Sequence, residues 1–370
     1  MFLFLIELGS FFLTSVFNLY KAPKYVYNTI PKSLDINPRF GVWHLPNSTF
    51  KHVSTCFNVT NDYNSYGARD KEHPKQGQNR FFVIGDSFIE GYGIEEKDRI
   101  SDLLESYFGY GFLNFSSSGG FGSTQMYYCY DYFKDNFEHE GIIIGLFPTN
   151  DFFDDNLEFA KISQAHRYRP FHVKSEEDSS YQLKYFLDDI SKSEWSIENK
   201  HMKYTSKISA VLKNHSHFFS ILSQINQKNT LKSESEQLEQ KNEDFKRPRY
   251  AHEDFKEYEL DLLLYNLSLI RQSAPEKKIY VFTIPAKWEL YRYYKDRSRD
   301  RLSERLKKEL TEINIEFIDV TNHILDNTEV TDIASLYHTC DGHWNEKGNR
   351  ICAEFIKSRL TRDSIFIQAN

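Results

Sequence analysis

Apolar residues fall along this chain in short unbroken runs, and each run ends in small and polar residues. Phe81-Phe82-Val83-Ile84 stops at Gly85 and reads as a strand buried on both faces. Asp86 or Ser87 can cap a helix that begins just beyond. A helical stretch at about 99–108 precedes a second strand, Gly111 to Phe115. That strand runs into the small-residue loop Ser116 to Gln125, and a helix at about 125–136 follows. Gly141 to Phe147 is a third buried strand, ending at Pro148-Thr149-Asn150-Asp151. After a long polar interruption the rhythm resumes. It gives a helix at about 254–272, a strand at Ile279–Pro285, a helix at about 297–312, a strand at Ile315–Val320 and a closing helix at about 349–359. Strand, loop and helix in repetition mean an α/β fold, a parallel sheet of about five strands with helices on both faces.

The remaining segments break that rhythm. Residues 1–20, MFLFLIELGSFFLTSVFNLY, are strongly apolar but marginal in length for a membrane span, and they contain Glu7. They lack the basic start and small-residue cleavage site of a secretory signal. Three readings stay open: a membrane-associated segment as it stands, the tail of a longer anchor whose start lies upstream, and an amphipathic first helix docked on the domain; the pattern favours membrane association. Lys21 and Lys24 would leave the main body in the cytoplasm by the positive-inside rule. Export to the cell envelope stays open beside that, so the side is unresolved. Residues 21–78 read as an irregular lead-in rich in Pro, Asn, Gly and Asp, with Asn64 to Asp70 as a turn. The strand-and-helix domain is then 79–151 with 254–362, and residues 152–253 form a mainly helical insertion placed to serve as a cap. Within it, about 206–225 is a helix, and 227–250 is nearly free of apolar residues and reads as a surface loop.

Composition narrows the function only slightly. Hydrophobic content of 40% and charged content of 27% are those of a globular protein, and the net charge of −7 argues against nucleic acid as a partner. Cys56, Cys129, Cys340 and Cys352 form no CxxC pair and no Cys/His cluster, so a zinc site is not expected. Their scatter implies neither a disulfide scaffold nor a redox centre, and pairing stays open. Nothing calls for a cofactor, and the oligomeric state is unspecified.

The candidate chemistry lies at the strand ends. Ser87, Asp341 and His343 are the residue types of a hydrolytic triad. Serine needs a base within hydrogen-bond reach, histidine supplies one, and a carboxylate fixes the imidazole tautomer. Asp341 and His343 are two apart, so an extended segment would send both side chains the same way. Ser87 N–H, Gly119 N–H and the Asn150 amide are candidate donors to the oxyanion of acyl transfer. Each residue also has a plainer use: Gly85-Asp86-Ser87 and Asn150 as helix caps, Gly119 in a tight turn, Asp341-Gly342-His343 as a turn before a helix. Their joint occurrence in this order favours chemistry.

Taken together, these residues resemble the SGNH hydrolases, the GDSL esterase and lipase superfamily. The matching blocks are Gly85-Asp86-Ser87, Asn114 through Gly119, Asn150-Asp151 and Asp341-Gly342-His343. The resemblance implies a three-layer flavodoxin-like α/β/α domain. It also implies Ser87 as nucleophile, His343 as base, Asp341 as its orienting acid, and Gly119 and Asn150 completing the oxyanion hole. Asn64-x-x-Gly67-x-Arg69-Asp70 looks like a segment of membrane-associated members, and the ending Asp341 to Gly348 resembles members linked to cell-envelope polysaccharides. Two positions depart from the pattern: one residue rather than two separates Asp341 from His343, and Pro148 replaces the usual glycine.

The expected activity is hydrolysis of an acyl ester, most plausibly an acetylated carbohydrate. An O-acyltransferase would use the same residues, and a non-catalytic carbohydrate-binding protein would keep the fold. The insertion leaves the sheet beside Asn150, and its His166, Arg167, Tyr168, Arg169 and Phe171 suit a sugar or anionic polymer.

Overall fold

The computed structural model describes residues 2–17, 19–20, 34–54, 56–162, 167–193, 212, 215–226, 249–296 and 300–363. Helix Phe2–Phe11 and the π-helical turn Phe12–Val16 come first. Two antiparallel hairpins follow, β1 (Leu34–Asn37) with β2 (Gly41–His44) and β3 (Ser48–Val53) with β4 (Asn58–Tyr63). They replace the irregular lead-in expected for 21–78. The strand signal is weak because the positions that β4 turns inward are Val59, Asn61 and Tyr63. A buried asparagine breaks the apolar alternation that would have announced a strand.

The central strands are β5 (Arg80–Gly85), β6 (Gly111–Asn114) and β7 (Gly141–Leu146). The insertion then contributes a hairpin of β8 (Pro170–Lys174) and β9 (Tyr181–Tyr185) beside its helical pieces. Strands β10 (Lys278–Thr283) and β11 (Glu316–Ile318) complete one parallel sheet in the order β6-β5-β7-β10-β11. In chain order that is 2-1-3-4-5, the doubly wound flavodoxin-like arrangement, whose ligand crevice lies at the carboxyl ends where the order reverses. The reversal is at β5.

All of β5 is buried, and its side chains alternate between two cores. Phe82 and Ile84 join Ile142, Ile144, Leu146, Leu263 and Leu306 on one face. Phe81 and Val83 join Ile143, Leu104, Leu290 and Ile356 on the other. The first core is closed by helices Ser123–Phe133, Glu257–Ser273 and Arg301–Glu312, the second by Ile100–Phe108, Lys287–Asp296, Val320–Asn327 and Glu346–Leu360. Helices Lys287–Asp296 and Val320–Asn327 are additional to those read from the sequence.

Cys56 and Cys340 form a disulfide across 284 residues, which answers the question of pairing that the sequence leaves open. Cys129 and Cys352 are free and buried. Of the helix expected at 206–225, the described residues show 217–226 helical; residues 227–248 of the expected surface loop lie outside the described residues. No helix among the described residues is long and apolar enough to cross a membrane.

Candidate active site

Strand β5 delivers Ser87 to the carboxyl edge of the sheet. Its helix is a single turn, Ser87–Glu90, capped by the Asp86 side chain, which accepts from Phe88 N–H. Gly91 ends the turn at φ 86°, a left-handed conformation that glycine adopts without strain. Gly85 and Gly145 face each other on β5 and β7. A methyl group on either would lie within 2.4 Å of an Ile89 side-chain atom. The two glycines thus make the hollow in which Ile89 seats the turn on the sheet. Arg69 braces it from outside, donating to the carbonyls of Glu90 at 3.0 Å and Ile94 at 2.7 Å. Asn64, in the same segment, forms the expected turn, its Oδ1 accepting from Tyr66 and Ala68 N–H at 3.0 Å.

His343 arrives from the far end of the chain. Its Nε2 lies 2.7 Å from Ser87 Oγ, and Asp341 Oδ1 accepts from its Nδ1. The extended geometry expected for Asp341-Gly342-His343 is replaced by a turn. Asp341 Oδ1 also accepts the main-chain N–H of His343 at 3.0 Å, an Asx turn that needs only one intervening residue. That is why the short spacing still brings carboxylate and imidazole together. Burial alone would raise the Asp341 pKa, but the hydrogen bonds and charge of His343 outweigh it and hold it at about 2. Asp341 is therefore a carboxylate at neutral pH.

The His343 loop is held by contacts distant in sequence. Trp344 is buried and bridges to Tyr337, whose hydroxyl donates to Pro285 O at 2.7 Å. Cys340, next to Asp341, is tied to Cys56. The imidazole stacks on Tyr92 with centroids 4.3 Å apart, and Phe88 lies 4.7 Å away. Burial, then the charges of Asp341 and Glu90, push the Tyr92 phenol up to about 12, so it stays neutral against the ring. Tyr92 was not singled out from the sequence; its place five residues after Ser87, in Glu90-Gly91-Tyr92-Gly93, was the available signal.

Gly119 follows β6 at φ 101°. The residue before it, Ser118, donates its N–H to the Glu90 carboxylate at 2.6 Å, which ties this loop to the turn carrying Ser87. Burial would raise the Glu90 pKa, but His44, Arg69 and Ser118 outweigh it and lower it to about 2. A fixed charge thus anchors the loop. Asn150 lies in helix Pro148–Asp154 after β7, with Pro148 as the first helical residue, a position that needs no N–H donor. The Asn150 side chain is beside Asp86 and favours its charged form. Burial still dominates there and raises Asp86 to about 7. Asp151 is raised too, by burial and by Asp86.

The insertion meets the same loop. Arg167 Nη1 donates to Gly119 O at 3.3 Å, and Arg169 Nη1 to Gly120 O at 3.0 Å and Asp154 Oδ1 at 3.1 Å. Arg169 and Phe171 are buried, with the guanidinium over the Phe171 ring. Tyr168 stacks on Tyr185 and donates to Pro38 O. Arg169 and Phe171, expected to face a substrate, are thus packed inside the protein, Arg169 against the Gly119–Gly120 loop and Phe171 against Arg169. His166 lies outside the described residues.

No family model matches the chain, and no curated protein matches it. Solved structures similar to it include a lipolytic protein of the G-D-S-L family from Veillonella parvula, at 12% identity over 77% of this chain and 99% of that one, TM-score 0.37. The chain resembles the GDSL lipolytic hydrolases. A carbohydrate esterase family 2 enzyme with a carbohydrate-binding domain from Corynascus thermopiles (Myceliophthora fergusii) is 12% identical over 79% of this chain and 68% of that one, TM-score 0.39. Phospholipase A1 from Streptomyces albidoflavus is 11% identical over 76% and 98%, TM-score 0.38. These likenesses are remote, and the site stands on its own geometry.

Proposed function

We propose that this protein is a serine hydrolase that cleaves an acyl ester through an acyl-enzyme at Ser87. The observation that carries the reading is the 2.7 Å contact between Ser87 Oγ and His343 Nε2, with Asp341 on the other ring nitrogen. In this mechanism His343 Nε2 takes the hydroxyl proton as Oγ bonds to the ester carbonyl carbon. Asp341 stabilises the imidazolium that forms. The imidazolium returns the proton to the leaving alkoxide as the carbon–oxygen bond breaks. Water, deprotonated by the same nitrogen, then attacks the acyl carbon; the bond to Ser87 Oγ breaks, the imidazolium returns its proton to Oγ, and the carboxylic acid leaves. Ser87 N–H, Gly119 N–H and the Asn150 amide are the donors we assign to the oxyanion. Support for that assignment is the tether from Glu90 to Ser118 and the place of Asn150 beside Asp86, each one residue from a proposed participant.

The acyl group we propose is acetyl, carried on a carbohydrate of the cell envelope, on the resemblance of the Asp341-to-Gly348 ending. Transfer to a sugar hydroxyl in place of water would use the same atoms. The insertion, in this reading, supports the oxyanion side by holding the Gly119–Gly120 loop.

The test is p-nitrophenyl acetate turnover with fluorophosphonate labelling. Wild-type protein should turn over the ester and take the label at Ser87, and Ser87→Ala should lose both while melting at the same temperature. A Ser87→Ala variant with wild-type turnover would remove the triad from the account. Product formed on an added sugar acceptor at the expense of acetate would move the reading from hydrolase to transferase.

A further inference from the structure

The first helix is apolar on all sides except one narrow stripe. Leu3 is 79% exposed, and Phe2, Phe4, Leu5, Phe12 and Phe17 are exposed with it. The stripe is Glu7, Ser10 and Thr14, spaced three and four residues apart so that they share a helix face. It is turned toward a second helix, 217–226 of the insertion. Glu7 is the only charged residue between Phe2 and Phe17, and its carboxylate sits at the amino end of that second helix. There it accepts from Ser216 Oγ at 2.8 Å, from Phe218 N–H at 3.3 Å and from His217 N–H. Thr14 Oγ1 lies 2.6 Å from His217 Nδ1, and Ser10 and Thr14 are buried. On its outer side the second helix exposes Phe219, Leu222 at 43% and Ile225, again one stripe.

This pair has its polar groups facing one another and its apolar groups facing out, the reverse of a helix pair packed for water. Hydrogen bonding within the pair leaves the outer surface with little that needs water, which suits hydrocarbon. The described helical run, Phe2 to Val16, spans roughly 22 Å at 1.5 Å per residue, less than the ~30 Å hydrocarbon core. Charge decides which membrane. The whole protein is net −7, yet residues 8–34 hold Lys21, Lys24 and Lys32 and no acidic residue. Residues 199–233 hold six lysines and no acidic residue. Both apolar helices are therefore flanked by the locally basic stretches of an acidic protein. Lysines at an anionic bilayer surface contribute about 1 kcal/mol each.

We infer that residues 2–17 and helix 217–226 form a two-helix foot that enters one leaflet of an anionic lipid bilayer without crossing it. Two elements far apart in sequence build the foot, and the insertion supplies half of it.

Flotation of the full chain with vesicles tests this. Vesicles of phosphatidylcholine mixed with phosphatidylglycerol should carry the protein to the top of the gradient; phosphatidylcholine alone should carry less, and high salt should narrow the difference. Phe219→Glu with Leu222→Glu should weaken binding to the mixed vesicles by about tenfold or more, since both side chains would take charge into hydrocarbon. Turnover of p-nitrophenyl acetate by that variant should match wild type, which separates loss of the foot from loss of the fold or of the site. Protein that stays at the bottom with both vesicle types overturns the proposal. So does a variant that floats like wild type, which would leave the first helix acting alone. A lipid-free dimer that the variant dissociates, with no vesicle binding by either protein, would make this face a contact between copies and overturn it as well.

Discussion

The two halves of the candidate triad are held in different ways. Ser87 is placed chiefly by its own strand and turn, a buried strand, a one-turn helix and Ile89 over Gly85, packed into the sheet against Gly145 and braced by Arg69. His343 is placed by groups far away: Cys56 through Cys340, Pro285 through Tyr337, and Tyr92 against the ring. Packing inside a sheet edge has little freedom to lose. A loop fixed by a few distant contacts has much more, and its position depends on each contact. The serine half should therefore respond to changes in chemistry, and the histidine half to changes in tethering.

The largest difference is expected from Asn150→Ala, which leaves both halves in place and removes a donor. We expect kcat to fall about 10²–10³-fold with KM nearly unchanged, because the amide would bond the oxyanion better than the ground-state carbonyl. A rise in KM alone would make Asn150 a binding or capping residue. Next comes the histidine tether. Cys56→Ser should release the Cys340 end of the loop and lower kcat roughly tenfold to a hundredfold through misplacement of the base. It should also cost about 2–4 kcal/mol of stability. Fluorophosphonate labelling and thermal melting, with and without reductant, read both effects. If reductant leaves the wild-type rate unchanged, the loop is held well enough by Trp344 and Tyr92, and the contrast between the halves fails.

The smallest effect concerns the serine half and appears only as a pH dependence. Burial raises the Asp86 pKa in the folded protein from about 3.8 to about 7. Between those values the folded state binds more protons than the unfolded state, so this contribution is full below about pH 3.8 and is lost as pH rises through 7. Asp86→Asn keeps a side-chain cap and removes the titration. The melting temperature of the variant relative to wild type should rise from pH 4 to pH 8. A difference constant with pH would mean that Asp86 is ionised throughout.

Much of the sheet was legible because its strands are unbroken apolar runs, each followed by a helix. The placement of Ser87, Gly119 and Asn150 at strand ends was legible for the same reason: each follows a strand that announces itself. The hairpins of 34–63 were not, since their inward positions include Asn61 and their outward ones are polar. The disulfide was not, because spacing alone cannot say that residues 284 apart meet. Nor was the use of Arg169 and Phe171. A cluster of basic and aromatic side chains looks the same in sequence whether it grips a sugar or, as here, a neighbouring loop. The Asp341–His343 contact was drawn correctly from residue type but by the wrong backbone, an extended segment in place of an Asx turn.

The distance along the chain between Ser87 and His343 also sets a clock. They are 256 residues apart. At about 5–20 residues per second, a ribosome takes on the order of 13 to 50 seconds to go from one to the other. On the proposed mechanism, the growing polypeptide carries the nucleophile throughout that interval with no base to arm it. Any product of interrupted translation that stops short of His343 would lack activity for the same reason. Order of synthesis would then do for the proposed hydrolase what a removable pro-segment does for a zymogen, with no peptide bond to cut.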